Sequence, residues 1–452
     1  MKSLKNLWER LLFRDRGIVP DVRLLILFLV FSAGAVFLTV FADVSWVWLF
    51  VINGLLILLS LLDLLGSPRK RELSFKREMP DELERGLASD ISITINNVSR
   101  YPCDVRIIDG LPQSFRSPFP LKSTVDAQDS VKLVYQPIAP ERGKYGITTI
   151  FIRYRSRLGL WQKQLAVRDE HSVKVIPDLT ETRQYLESPQ QFLLYEGTKI
   201  RKQRAEAGEF AQVRNYVVGD DPRKINWRQT AKLQTVMANE YEPEHGKYVT
   251  ILIDCGRMMG AELKSGNRLE KALEAAITTA AAALKNGDYV AVLAFSKEIK
   301  VFVPPAKGMN QLQTILQAVY NLKVDASESN YSAAINYLSV ALKKRSLVLL
   351  FSDIQIFLHE ESALYQLKRL RRRHLFMMIG VEDEELLAKT RQQPDHAKSL
   401  MVKAMAQQQI QLKKRGKATW EKQGLSMVEA KEEHLATAAV SEYVRVMNEG
   451  LL

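Results

Sequence analysis

Cysteine is nearly absent from this chain of 452 residues: Cys103 and Cys255 are its only two, and no C-x-x-C spacing occurs. A disulfide framework and a cysteine-type zinc site are thereby excluded, and a reducing compartment fits. Histidine is also sparse, with six residues, none of them paired at i, i+4. The H-E-x-x-H signature of zinc proteases is therefore missing. There is no G-x-x-x-x-G-K-[ST] phosphate loop and no G-x-S-x-G nucleophile elbow, so nucleotide hydrolysis and serine-hydrolase chemistry have no sequence support. No internal repeat or low-complexity stretch stands out. At 46% hydrophobic and 25% charged, the chain is not disordered throughout, and its length suits two or three domains. Its net charge of +13 is dispersed, a balance that suits a membrane surface or nucleic acid.

Two apolar runs dominate the first part. Leu24 to Ala42 and Trp46 to Leu62 carry no charge, and each is long enough for a helix to cross a bilayer. Runs of this length, so close together, do not read as a cleaved signal peptide. Lys2, Lys5, Arg10, Arg14, Arg16 and Arg23 precede the first run; Arg69, Lys70, Arg71, Lys76 and Arg77 follow the second. The connecting turn holds only Asp43. Positive flanks predict both termini on the cytoplasmic side of an inner membrane, with Trp46 and Trp48 at the outer rim. Asp63 lies near the inner end, within reach of the headgroups, and no transport role is assigned to it.

The remainder divides by pattern. Residues 1–66 hold the hairpin, with spans about 24–42 and 46–62. Residues 67–178 show short alternating runs separated by Gly, Pro, Asn and Asp, which predict a β-sandwich-like domain. Residues 179–246 form a dense polar segment, too apolar for a linker and too irregular for one helix. It includes Arg201, Lys202 and Arg204. Residues 247–381 alternate strand and helix, which predicts an α/β domain with a mainly parallel sheet covered on both faces. Residues 382–452 read as a helical, highly charged tail.

Ligands of such sheets gather at the carboxyl ends of the strands, where Asp254 and Asp353 fall. A von Willebrand A-type metal site uses D-x-S-x-S after the first strand, then a Thr and a later Asp. Its hydroxyls and carboxylates suit Mg2+. Here the first motif reads Asp254, Gly256, Met258; both serines are missing, and thioether sulfur is a poor ligand for Mg2+. Ser329 stands where the Thr belongs. Asp254, Ser329 and Asp353 thus make at most a degenerate, weak Mg2+ site. The simpler role for both aspartates is to cap helices or bind arginines. Asp220 and Asp221 form a second carboxylate pair. An acid–base role is open to them, but Arg214, Arg223 and Arg228 would hold both ionised. The basic clusters Lys343-Lys344-Arg345 and Lys368-Arg369 with Arg371-Arg372-Arg373 end predicted helices, where cations suit the helix dipole. Contact with anionic lipid is a further role for them.

The block Val213-Arg-Asn-Tyr-Val-Val-Gly-Asp-Asp-Pro-Arg-Lys-Ile-Asn-Trp-Arg-Gln-Thr-Ala231, with Glu240-Tyr-Glu and Ile251-Leu-Ile-Asp254, resembles the DUF58 family. So do Arg142-Gly-Lys-Tyr145, Leu158-Gly-Leu160, the run Arg345 to Asp353, and Arg373-His-Leu375. The likeness covers nearly the whole chain. It implies a von Willebrand A-like, Rossmann-type domain after a β-rich segment, and association with MoxR-type AAA+ ATPases. It implies no catalytic activity.

The expected protein is a multi-pass membrane adaptor or scaffold, not an enzyme, with two spans and no firmly bound cofactor. Its partners would be the lipid bilayer and a MoxR-type AAA+ ATPase; no nucleic acid is expected. The docking or ordering surface would comprise Arg214, Tyr216, Gly219, Asp220, Asp221, Arg223, Asn226, Trp227 and Arg228. The competing expectation is metal-dependent ligand binding or hydrolysis at the Asp254/Asp353 end of the sheet.

Overall fold

The computed structural model describes residues 17–41, 45–194, 197, 209–242, 246–358 and 361–452. They divide into two compact units, Met1–Ile176 and Pro177–Leu452.

The first unit opens with a short strand, β1 (Ile18–Pro20), followed by helices α1 (Val22–Phe41) and α2 (Trp46–Leu65). Each helix has 20 residues, about 30 Å of rise, which matches the hydrocarbon thickness of a bilayer. Both are long and apolar enough to cross a membrane. Their outer faces stay bare: Leu29 is 67% and Phe50 73% exposed. The Ser32 hydroxyl donates to Asn53 Oδ1 across the pair at 2.9 Å, the kind of polar contact that joins helices in lipid. Lys2, Lys5, Arg10, Arg14, Arg16 and Asp43 lie outside the described residues.

Strands β2 (Leu73–Glu78), β3 (Glu82–Glu84), β4 (Ile91–Asn97), β5 (Cys103–Asp109), β6 (Leu121–Val125), β7 (Asp129–Tyr135), β8 (Gly143–Arg155) and β9 (Trp161–Ile176) follow. One sheet runs β1-β9-β8-β5-β6, with β3 also on β9; a second runs β2-β4-β7. Alternating burial along β2 and β5 sends Leu73, Phe75, Val105 and Ile107 inward. There they share one core with Ile93, Ile95, Ile150 and Ile152, each fully buried side chain contributing about 1.5–3 kcal/mol. Strand β9 is a single long strand of 16 residues, longer than the short runs the sequence pattern predicts.

Arg77 departs from the sequence reading. Counted there among the cytoplasmic flanking charges, it lies inside the sandwich with no exposed side-chain surface. Its Nε donates to Asp109 Oδ2 at 2.9 Å, its Nη2 pairs with Asp109 Oδ1, and its Nη1 donates to the Asp169 carbonyl at 2.8 Å. Tyr135 donates its hydroxyl to the same carboxylate at 2.5 Å, and burial beside Asp109 raises the Tyr135 pKa.

The second unit begins with helices α3 (Thr180–Glu187) and α4 (Pro189–Leu194). Strands β10 (Glu209–Asn215) and β11 (Met237–Glu242) pair as an antiparallel hairpin enclosing helix α5 (Trp227–Leu233). The main sheet starts at β12 (Tyr248–Asp254). A short hairpin, β13 (Glu262–Leu263) and β14 (Gly266–Asn267), leads into α6 (Arg268–Lys285). Then come β15 (Tyr289–Phe295), β16 (Ile299–Ala306), α7 (Met309–Val319), α8 (Tyr331–Ala341) and β17 (Ser346–Phe351). The chain closes with α9 (Ile354–Phe357), α10 (Glu361–Arg371), β18 (Leu375–Val381), α11 (Glu384–Arg391), α12 (Ala397–Lys422), β19 (Ser426–Ala430) and α13 (Leu435–Asn448). Arg201, Lys202 and Arg204 lie outside the described residues.

The sheet order is β16-β15-β12-β17-β18-β19. All neighbours are parallel except β15 and β16. Val249, Ile251 and Ile253 face α6 and α13 on one side; Leu252 meets the other core with Leu338 and Trp420. Residues 382–452 are not only helical, as their charge and periodicity had suggested. Met427 and Val428 pair with β18 and add a sixth strand, while α13 buries Ala439, Val440 and Tyr443 in the core of α6. A five-residue strand between two long helices is too short to register as a strand pattern of its own.

Helix α3 packs on α6, where the buried hydroxyls of Thr182 and Thr278 are hydrogen-bonded at 2.9 Å. Beside them, burial first and the Glu274 carboxylate second push the Glu181 pKa up to about 7. An acid whose pKa is higher folded than unfolded stabilises the fold at low pH and loses that contribution as pH rises through the folded value. Stability should fall by about 2 kcal/mol between pH 4.5 and 7 for this group. Glu181→Gln should flatten that slope in thermal melts across the interval; parallel curves for the two proteins would contradict it.

Candidate functional site

Three places gather functional side chains. The first is where the apolar hairpin meets the sandwich. Asp63, read from sequence as able to reach the headgroups, is buried instead. Its carboxylate accepts the Ser156 hydroxyl and, at 2.9 Å, the Leu160 N–H. The Trp161 indole N–H donates to the Ser60 carbonyl at 3.1 Å. The Lys163 ammonium reaches the carbonyls of Leu64, Ser67 and Pro68 at 3.4, 3.3 and 3.1 Å, a cation at a helix C-terminus. At the start of the other helix, Asp21, just before it, pairs with Arg155 at 2.5 Å, and Arg23, in its first turn, donates to the Leu158 carbonyl at 3.1 Å. Both helices are thus fastened to one turn, Ser156 to Trp161. Gly159 adopts φ +71 there, and a Cβ would meet Arg155 and Arg23 atoms at 3.1 Å.

The second place is the carboxyl end of the main sheet. Asp254 sits in a knot of hydroxyls. Ser329 donates to Oδ1, Tyr331 to Oδ2 at 3.0 Å and Ser352 to Oδ2 at 2.5 Å, while the Gly256 N–H donates to Oδ1 at 2.8 Å. The structure brings Asp254 and Ser329 together, but Asp353 is otherwise engaged. Its Oδ1 caps α9 through the Ile356 N–H at 3.0 Å, and its Oδ2 pairs with Arg268. Arg268 also reaches Asp383 at 3.6 Å. A Cβ on Gly256 would lie 1.9 Å from the Ser329 hydroxyl, so that hydroxyl fills the space in which a side chain at 256 would project. Among the described residues no cluster of three His, Cys, Asp or Glu residues is placed to hold a metal. The arrangement does not fit a divalent ion: the carboxylate lone pairs of Asp254 are directed at hydroxyls, and an arginine supplies the cation at Asp353. The sequence did not point to Tyr331, Ser352 or Arg268 as partners. Ser352 carried a signal only in its place at the end of a buried strand.

The third place is the β10–β11 hairpin. Arg214 grips Asp220 with two bonds of 2.8 and 2.7 Å. Asp220 also accepts the Val217 N–H at 3.0 Å, and Tyr216 donates to the Asp220 carbonyl at 2.9 Å. Gly219 takes φ +109 to close this turn, a conformation glycine adopts freely. Asp221 caps the Pro222–Lys224 turn through the Arg223 N–H at 2.9 Å. Asn226 caps α5 through the Gln229 N–H at 3.1 Å and donates to Asn239 Oδ1 at 2.8 Å. With both carboxylate oxygens of Asp220 engaged by Arg214, a strong two-point pairing, Asp220 serves as a brace of the hairpin.

Those contacts separate a frame from a face. Arg214, Tyr216, Gly219, Asp220, Asp221 and Asn226 order the hairpin. Trp227 is 71%, Val218 97% and Val217 61% exposed, and Arg223 and Arg228 are exposed as well.

Residues 212–418 match the family model described as protein of unknown function DUF58. The match supports the resemblance across the braced hairpin and most of the main sheet. No curated protein matches. Among solved structures, a conserved hypothetical protein BatB from Bacteroides thetaiotaomicron is 15% identical; the match covers 45% of this chain and 100% of that one, with a TM-score of 0.31. A PapD-like domain of human CEP192 is 11% identical over 24% of this chain and 89% of that one, with a TM-score of 0.18.

Proposed function

We propose that the protein is a non-enzymatic, membrane-anchored adaptor whose DUF58-like portion docks a MoxR-type AAA+ ATPase in the cytoplasm. In this reading α1 and α2 span the inner membrane with both termini cytoplasmic, and the second unit is a von Willebrand A-like domain. The observation that carries it is the β10–β11 hairpin, braced within by the Arg214–Asp220 pair and exposing Trp227, Val217 and Val218 together with Arg223 and Arg228. An exposed Trp beside Arg, held on an ordered frame, is the composition of an interaction hot spot. Buried aspartates satisfied by hydroxyls and arginine favour binding over hydrolysis at the sheet's carboxyl end. Fastening of both apolar helices to one sandwich turn suits an anchor that must bear load.

Co-purification from native membranes in mild detergent tests this. The wild-type chain should bring down an AAA+ ATPase, and Trp227→Ala or Arg228→Ala should reduce recovery at least about tenfold, the loss expected of a hot-spot residue. Both side chains are exposed, so the variants should melt like the wild type. Undiminished recovery from both variants, or no ATPase with the wild type, would defeat the adaptor reading.

A further inference from the structure

The main sheet carries a second surface, at the end opposite Asp254. Neighbouring strands place their first residues side by side: Tyr248 lies against Tyr289 and Ser346, and Leu347 against Leu375. The antiparallel β16 ends here too, with Ala306 opposite Val290. Five adjacent strands therefore bring Lys307, Tyr289, Tyr248, Lys343-Lys344-Arg345 and Arg372-Arg373 to one edge. The row spans four strand spacings, about 19 Å. Lys307, Lys343, Lys344, Arg345, Arg372 and Arg373 are all exposed.

Helix dipoles account for only part of the row: Arg372 and Arg373 directly follow the end of α10 at Arg371, where cations are favoured. Lys343 to Arg345 lie beyond the end of α8 at Ala341, and Lys307 precedes the N-terminus of α7, where a cation is disfavoured. The counter-charges are mostly committed. Asp288 is buried and accepts the Tyr443 hydroxyl at 2.6 Å; Glu442 and Glu449 both pair with Arg445. Among the described residues here, Glu187 is an exposed carboxylate next to the Leu186 carbonyl to which Lys285 donates, and Arg345 itself donates to the Leu451 carbonyl at 2.9 Å, beside the last residue.

The tyrosines discriminate between polyanions. Tyr248 and Tyr289 stack at 4.7 Å with rings 6° from parallel. Lys344 lies over Tyr248 at 5.3 Å and Lys307 over Tyr289 at 5.7 Å. Each ring thus has one face on its neighbour and a lysine over it as well. No free platform remains for the base stacking on which single-stranded nucleic acid binding depends. A row of cations with tyrosine edges instead suits a surface of phosphates, since tyrosine favours the membrane interface and each basic residue near an anionic leaflet adds attraction.

We propose that the amino end of this sheet docks on an anionic phospholipid surface. The domain would then lie with its basic end on the bilayer and its Asp254 end away from it. This rests on the anchoring proposed above, because a tether to the membrane raises the local concentration of headgroups.

The full chain can be placed in nanodiscs of pure phosphatidylcholine or of equal parts phosphatidylcholine and phosphatidylglycerol. Acylation of individual lysines by an N-hydroxysuccinimide ester is then followed by mass spectrometry. Lys307, Lys343 and Lys344 should label at least about fivefold more slowly in the anionic discs, and salt should restore their rates as it screens the charges. Lys297, exposed near the carboxyl end of the sheet, should be unaffected. In the Arg372→Glu/Arg373→Glu double variant, labelling of Lys343 and Lys344 should recover, while Lys297 again reports an unchanged fold. Equal rates in the two discs overturn this inference and leave the anchor standing. A chain that does not enter discs overturns both. Protection by added single-stranded RNA in neutral discs, with none from phosphatidylglycerol, overturns it in favour of nucleic acid.

Discussion

Asp109→Ala should cost the sandwich about 3–5 kcal/mol, because it strands the buried Arg77 guanidinium without its partner. Both side chains are fully buried, so water cannot replace the lost carboxylate. The Tyr135 hydroxyl loses its acceptor at the same time. For a unit of this size the melting transition should drop on the order of 10 °C. Tyr135→Phe keeps the ion pair and should cost only about 1 kcal/mol. Calorimetry of the purified chain separates the two, and a drop of under about 2 °C for Asp109→Ala would contradict the assignment. Arg77 also bonds Asp169, through its carbonyl and through Asp169 Oδ2, which accepts the Arg77 N–H at 3.0 Å, and its Nη2 reaches the Thr149 carbonyl at 3.5 Å; none of these contacts replaces the lost charge pair.

Asp254→Ala should be comparably severe in the second unit. It removes the shared acceptor of Ser329, Tyr331, Ser352 and the Gly256 N–H. Bonds to a charged group contribute about 1.5–3 kcal/mol each, and part of the loss is relieved by relaxation, leaving about 3–5 kcal/mol. Because this knot holds itself together, excess Mg2+ or a chelator should leave the wild-type melting point unchanged. A resident ion would shift it by mass action. A clear fall with chelator, together with a mild effect of Asp254→Ala, would restore the metal reading.

The sequence shows the architecture wherever periodicity carries the information. The buried run Tyr248 to Asp254, the alanine-rich face of α6 and the alternation that follows mark a parallel sheet. The two uncharged runs mark the apolar helices to within a few residues. What it hides are contacts between distant positions. Arg77 looks like a flanking charge because nothing local separates a headgroup arginine from one paired with Asp109. Asp63 looks like a polar residue at a helix end, and only the fold shows Ser156 and Leu160 waiting for it. Residues 426–430 are masked by the helices around them. The 213–231 block is the instructive case. Its composition announces a special structure, but only the bonds among Arg214, Asp220, Tyr216 and Asn226 separate the residues that build the hairpin from Val217, Val218 and Trp227, which it displays.

The central claim is that this displayed face receives an ATPase at the membrane. A photo-crosslinking amino acid at position 218, where the native valine is 97% exposed, tests it in intact membranes. The account predicts a crosslink to an AAA+ ATPase from position 218 and none from a control at Lys297, near the other candidate site. No ATPase adduct at 218, or equal adducts at both positions, would contradict it.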